Sequence, residues 1–244
     1  MDIAIVTGGG SGLGRAFAVG LADAGFGVVV ADADRAAAEE TAALLPTPSG
    51  AVVADLRDHD RMADLVRAAE ERGGPHVLVN NVGGWTPGGR QFPEAAPQEW
   101  LGTIALDLTA PMLLTQLVLE PMRRLGGGAV LTISSSAGIG NGPYGSPEYA
   151  ATKAALIRLT SSLAGLGETH GVRATCIVPD WIGLPRAHEQ LAAMPAADRA
   201  RVRPLVPPGE IVAVGLDLIR DGRAGTIVEM RGGSPPHEQQ PYDF

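Results

Sequence analysis

The 244-residue chain has a single cysteine, which excludes an internal disulfide framework. Cys176 sits in the apolar run VRATCIVP and reads as a small core residue. Basic residues are also scarce. There are 19 Lys and Arg against 27 Asp and Glu, a net charge of −8, and no basic patch. That balance argues against nucleic acid and acidic membrane surfaces as partners. No continuous apolar run approaches the ~20 residues that span a bilayer. The first residues, MDIAIVTGGG, show neither a basic n-region nor a cleavage site, so no signal peptide is expected and the cytoplasm is the default compartment. The five histidines (His59, His76, His170, His188 and His237) are scattered, and no H-x-x-x-H occurs, so no metal site is expected. Of the acidic cluster Asp55, Asp58 and Asp60, Asp58 is expected to cap a helix.

What the chain does have is a series of short β-branched runs. They are 2–7, 27–32, 50–55, 76–81, 128–134, 172–179 and 225–230. Each is apolar and bounded by Gly, Pro or Asp, the pattern of strands buried on both faces. Helical segments lie between them, such as DRMADLVRAAEERG, with Met62, Leu65, Val66 and Ala69 on one stripe. Alternation of this kind predicts an α/β fold with seven parallel strands, helices on both faces and right-handed crossovers. One domain over 1–233 and a tail over 234–244 account for the chain. Two long loops, 83–97 and 179–208, leave the carboxyl ends of strands, where open α/β sheets bind ligands. The second is expected to act as a lid, with His188 a candidate substrate contact. Trp85, Tyr144 and Trp181 lie in loops at that edge and are candidates to line an apolar pocket, or to pack on a cofactor or another subunit.

The first strand runs into TGGGSGLGRA, with Gly8, Gly12 and Gly14 spaced G-x-x-x-G-x-G. Gly8 allows a sharp exit from the strand, Gly12 a close approach of backbone to phosphate, and Gly14 close packing of helix on sheet. The helix N-terminus then offers unpaired N–H groups to a pyrophosphate. Strand before and helix after make this a dinucleotide-binding context. Asp32 ends the second strand about 20 residues on, where a carboxylate can accept from both adenosine ribose hydroxyls. It would repel a 2′-phosphate, so NAD is favoured over NADP. The helix cap is better assigned to Asp34 than to Asp32. Asp55 is placed to reach the adenine amino group.

In this order TGGGSGLG, NNVG (80–83), ISS (133–135) and YAATK (149–153) resemble the classical short-chain dehydrogenase/reductase family, through about Gly233. The resemblance implies a doubly wound Rossmann sheet and reversible hydride transfer between a nicotinamide and an alcohol or carbonyl. It implies a cofactor-binding set of Gly8, Ser11, Gly12, Leu13, Gly14, Asp32, Asp55, Leu56, Asn81, Gly83, Tyr149, Lys153 and Ile182. Tyr149 would be the general acid/base, Lys153 would also hold the nicotinamide ribose, and Ser135 would bond the reacting oxygen, with Ser136 as its rival. An ammonium ~5 Å from a phenol, at an effective dielectric of ~20, favours the phenolate by roughly 3 kcal/mol, or about two pKa units. Tyr149 is thus expected to titrate nearer its working pH. Subunits of the family commonly form tetramers, and the helix from Glu99 to Arg123 with the one after Tyr149 would supply such a face here.

Two departures stand out. Asp107 occupies the place of a relay asparagine, and an ionised Asp only accepts hydrogen bonds. In PDWIGLP (179–185), Asp180 replaces the usual glycine and Leu184 a threonine, which puts cofactor affinity in question. The reading is an NAD-dependent oxidoreductase on a small-molecule secondary alcohol or ketone, using Ser135, Tyr149, Lys153 and Asp107, forming a homotetramer or dimer. The alternative is a nicotinamide-binding sensor or structural partner with little turnover. A cofactor-free carbohydrate or lipid scaffold would leave the glycine loop and Asp32 unexplained.

Overall fold

The computed structural model describes residues 1–84, 89–140, 142 and 144–239. The strands are β1 (Ile3–Thr7), β2 (Gly27–Asp32), β3 (Gly50–Val53), β4 (Val77–Asn80), β5 (Gly128–Ile133), β6 (Val172–Pro179), β7 (Ile227–Met230) and β8 (His237–Glu238). They form one sheet in the order β3-β2-β1-β4-β5-β6-β7-β8. The first seven are parallel, and β8 pairs antiparallel with β7. The expected count of seven is therefore corrected to eight. The added strand comes from the tail expected to begin at 234, so the sheet continues past that boundary. All five residues of β1 are buried, as an apolar central strand covered on both faces must be.

The helices are α1 (Gly12–Asp23), α2 (Arg35–Leu44), α3 (Asp60–Glu70), α4 (Pro97–Ile104), α5 (Ala110–Arg124), α6 (Pro147–Ser162), α7 (Leu166–His170), α8 (Pro185–Ala193), α9 (Ala196–Arg199) and α10 (Pro208–Asp221). Phe17, Leu21 and Ile211 pack on one face of the sheet, and Met62, Leu65, Leu114 and Met122 on the other. Asp34 caps α2 through Oδ1, which accepts from Ala37 N–H at 3.1 Å. The cap of α3 is His59 rather than Asp58, whose carboxylate instead accepts from Asp60 N–H.

The helix expected over Glu99–Arg123 is two helices, α4 and α5, joined by a π turn at Ala105–Thr109. Within Pro97–Arg124 an 18-residue window has a mean hydropathy of 1.4, long and apolar enough to cross a membrane by length and composition. Ala110, Leu114, Val118 and Met122, at i,i+4 spacing, are spent on the sheet, as in a core helix. The expected lid loop holds α8 and α9. It is tied back by a parallel bridge between Ile182 and Val206, with Val206 N–H donating to Trp181 O at 2.8 Å.

Candidate active site

Two cavities open side by side at the carboxyl edge of the sheet. The first, about 370 Å³, is walled by Gly8, Ser11, Gly12, Leu13, Gly14, Asp32, Asn81, Gly83, Tyr149, Lys153 and Ile182, with Val82, Ile133, Ser134 and Leu184. Eleven residues of the expected cofactor set thus converge. Asp55 and Leu56 do not. The Asp55 carboxylate is exposed and held by the Arg57 guanidinium, which keeps it below the usual carboxylate range. Leu56 is buried in the core between sheet and helices.

The glycine loop has the shape of a cradle. Gly8 and Gly12 have φ of 63° and 53°, a left-handed conformation that favours glycine. A Cβ on Gly14 would lie 2.0 Å from Gly8 O, so no other residue fits. The loop is also latched. Asp32 Oδ2 accepts from Gly10 N–H at 2.9 Å, while Gly10 O accepts from Arg15 (3.0 and 2.7 Å) and from Thr41 Oγ (3.1 Å). Asn81 ties β4 to the loop, with Nδ2 donating to Thr7 O at 2.9 Å. Arg15 and Thr41 were not picked out from the sequence, since nothing local marks a donor aimed five or thirty-one residues back. This cradle, with a carboxylate at one end and a lysine at the other, fits a nicotinamide dinucleotide.

The second cavity, about 520 Å³, is lined by Ser135, Ser136, Tyr144, Tyr149, Asp180, Trp181, Arg186 and Gln190 among others. Trp85 lies outside the described residues, and His188 is exposed on α8 and lines neither cavity. Tyr149, Ser134, Ile182 and Leu184 belong to both walls. Asp180 belongs only to the second, so its charge bears on that cavity rather than on the cofactor cradle.

Tyr149 and Lys153 stand one turn apart on α6. Ser134 Oγ donates to Lys153 O at 2.8 Å, which pins α6 to the end of β5. Gly138 lets the helix close in, because a Cβ there would meet Lys153 C and Ala154 N at 2.6 Å. The S-x-x-G spacing from Ser135 thus has a steric cause. The Ser135 hydroxyl hydrogen-bonds with the Tyr149 phenol, whereas Ser136 Oγ donates to Asp180 Oδ1 at 3.0 Å. Lys153 is buried, with Nζ donating to Ile133 O at 3.3 Å and lying 5.4 Å from the centre of the Tyr149 ring.

Asp107, fully buried, is turned inward by the π turn. Gly84 N–H reaches both of its oxygens at 3.1 Å. Burial raises its pKa to about 6, against the pull of Lys153 and of the Gly84 N–H. Lys153 is held below the usual lysine range by burial, partly offset by Asp107. Tyr149 differs from expectation. Its pKa is pushed up to about 12, first by burial, with Ser135 lowering it and Asp107 raising it. The sequence arithmetic counted the ammonium and omitted the desolvation of the phenolate, which wins in the cofactor-free protein. Among the described residues, no group of three or more His, Cys, Asp or Glu could hold a metal ion.

The short-chain dehydrogenase family model matches residues 2–194. This chain is a short-chain dehydrogenase/reductase. It is 34% identical over 243 residues to cis-4-hydroxycyclohexanecarboxylate dehydrogenase of Sinomonas cyclohexanicum, covering 95% of each chain. It is 32% identical over 224 residues to mouse (3R)-3-hydroxyacyl-CoA dehydrogenase, covering 86% of this chain and 83% of that one. A crystal structure from Burkholderia xenovorans, assigned to the same family, superposes with a TM-score of 0.84 at 28% identity over 95% of both chains. The short-chain dehydrogenase/reductase has the mostly parallel Rossmann-type sheet of its family, whose members are oxidoreductases that use nicotinamide cofactors.

Proposed function

We propose that the chain is an NAD-dependent oxidoreductase that interconverts a secondary alcohol and a ketone, with Tyr149 as general acid/base. The observation that carries this is the place of Tyr149 on the wall shared by the two cavities, bonded by Ser135 and backed by Lys153. When bound, the nicotinamide supplies the hydride donor or acceptor. Tyr149 gives its phenolic proton to the carbonyl oxygen in reduction and takes it back in oxidation. Ser135 bonds the same oxygen and steadies the charge that develops on it. Lys153 holds the nicotinamide ribose and favours the phenolate. The two relatives are named as dehydrogenases of hydroxy compounds, which supports the reaction class.

NAD is favoured over NADP because Asp32 is fixed at the cradle's edge, its oxygens accepting from Gly10 and Asp34 N–H at 2.9 and 3.0 Å. A carboxylate so held cannot turn away from a 2′-phosphate. In fluorescence titrations NADH is expected to bind at least about tenfold more tightly than NADPH, and Asp32→Ala to erase most of that difference. Equal affinities in the unaltered protein would reject the NAD assignment.

A second reading, a nicotinamide-binding protein with little turnover, draws on Asp107 beside Lys153 and on the raised Tyr149. Intact Ser135, Tyr149 and Lys153 weigh against it.

A homodimer or tetramer is part of the proposal. Met112 and Leu117 on α5 are 46% and 39% exposed. A groove of about 330 Å³ runs between α5 and α6 past Leu113, Leu119, Leu159 and Leu163. Light scattering after gel filtration is expected to show at least two copies, and Leu117→Arg to yield a monomer.

A further inference from the structure

The substrate cavity contains a charge that the reaction itself does not need. Asp180 follows directly on β6, and its backbone N–H donates to Met230 O at 2.8 Å, so it stands on the rigid sheet edge rather than on the lid. One carboxylate oxygen accepts from Ser136 Oγ at 3.0 Å. Among the described residues no hydrogen bond or ion pair takes the other oxygen, and it is not sealed from solvent. Tyr144, Tyr149 and Trp181 share the same wall. Tyr144 stacks on Tyr149 at 6.2 Å between ring centres, which sets the Asp180 carboxylate in a wall that also holds an aromatic face.

Other charges near Asp180 do not cancel it. Arg231 approaches from the β7 side, but its guanidinium is engaged by Glu229. Arg186 lines the cavity from α8 and is exposed, so water and salt screen it. A half-buried, tethered carboxylate outweighs an exposed guanidinium on a lid helix. A ligand that covers Asp180 strips its remaining water, which costs free energy unless the ligand returns a donor. An anionic ligand group there adds repulsion to that cost.

We infer that Asp180 sets substrate specificity, selecting an alcohol or ketone that carries a second hydrogen-bond donor, a hydroxyl or an ammonium group, and disfavouring substrates with an anion at that position. This rests on the second cavity being the substrate site of the proposed oxidoreductase.

The test is calorimetric binding to the full chain, with and without NADH. The probes are cis-1,2-cyclohexanediol, trans-4-aminocyclohexanol, cyclohexanol and cis-4-hydroxycyclohexanecarboxylate. The diol or the amine is expected to bind at least about tenfold more tightly than the carboxylate. Asp180→Asn keeps the Ser136 bond and should bring that ratio to within about threefold, as should Asp180→Gly. A stronger diol identifies a hydroxyl as the partner, and a stronger amine an ammonium. Carboxylate binding as tight as either, failure of both to bind, or an unchanged ratio in Asp180→Asn overturns the inference. Turnover of the same four compounds with NAD is a separate readout. Its absence alongside selective binding would count against the oxidoreductase reading, and with it a substrate role for Asp180, and would leave Asp180 as a selector of bound ligand only.

Discussion

Replacing Tyr149 by phenylalanine is expected to lower kcat about 10³-fold, from the loss of a positioned acid/base, while NADH affinity changes less than about threefold. Phenylalanine keeps the ring that stacks on Tyr144 and lies under the Lys153 ammonium. It removes only the oxygen that Ser135 bonds. The rest of the cradle wall, with Gly8, Gly12, Gly14 and Asp32, is unchanged by the substitution, so binding should survive. The raised pKa of Tyr149, about 12, gives the prediction a direction. A phenol with so high a pKa stays protonated at neutral pH and is ready to donate, which suits carbonyl reduction. Alcohol oxidation needs the phenolate, so its rate should climb steeply towards alkaline pH. Oxidised nicotinamide and Lys153 favour the phenolate and bring that climb into a measurable range. Unaltered turnover in the Tyr149→Phe variant would end the catalytic assignment and favour the binding-only reading.

Most of the frame was legible in the sequence. Strands β1 to β7 all fall within two residues of their apolar runs, because strands buried on both faces leave an unbroken hydrophobic record. Strand β8 left none. His237–Glu238 is an exposed two-residue edge that exists only because β7 offers it a partner. Helix α8 did leave a trace, since Pro185 sits at its first turn and Ala, Leu and Gln follow. The prolines around it made the stretch read as a loop instead. At the site, eleven of the residues named from the glycine spacing and the order of motifs line one cavity, and the glycines among them are legible because backbone geometry dictates glycine locally. Asp55 and Leu56 lie outside the cavity wall, and how they sit depends on where β3 ends. It stops at Val53, and Arg57 then takes the Asp55 carboxylate. Which cavity receives Asp180, and how strongly burial acts on Tyr149, are tertiary facts that no spacing encodes.

Asp107→Asn is expected to stabilise the protein above pH 6 and to leave it unchanged near pH 4. The carboxyl has a folded pKa of about 6 against an ordinary value of 3.8, because burial disfavours its charged form. A raised folded pKa means that folding favours the proton. The group therefore contributes fully below about pH 4, and that contribution is lost as pH rises through 6. A shift of about two units corresponds to roughly 3 kcal/mol at full ionisation. Asparagine cannot ionise and avoids that cost. That figure already includes the opposing pull of the buried Lys153 ammonium and of the Gly84 N–H. A rise in Tm of roughly 6–12 °C at pH 8, shrinking to nothing near pH 4, is the expected outcome of paired melting curves, at about 2–4 °C per kcal/mol for a chain of this size. Activity offers a second readout that a merely structural role would not move. The Asp107 charge raises the pKa of Tyr149, so its removal should shift the alkaline limb of alcohol oxidation to lower pH. A variant that melts higher at pH 8 but keeps the parent pH profile would limit Asp107 to holding Gly84 in place. A variant that shifts both would make it the group that sets the working pH of Tyr149.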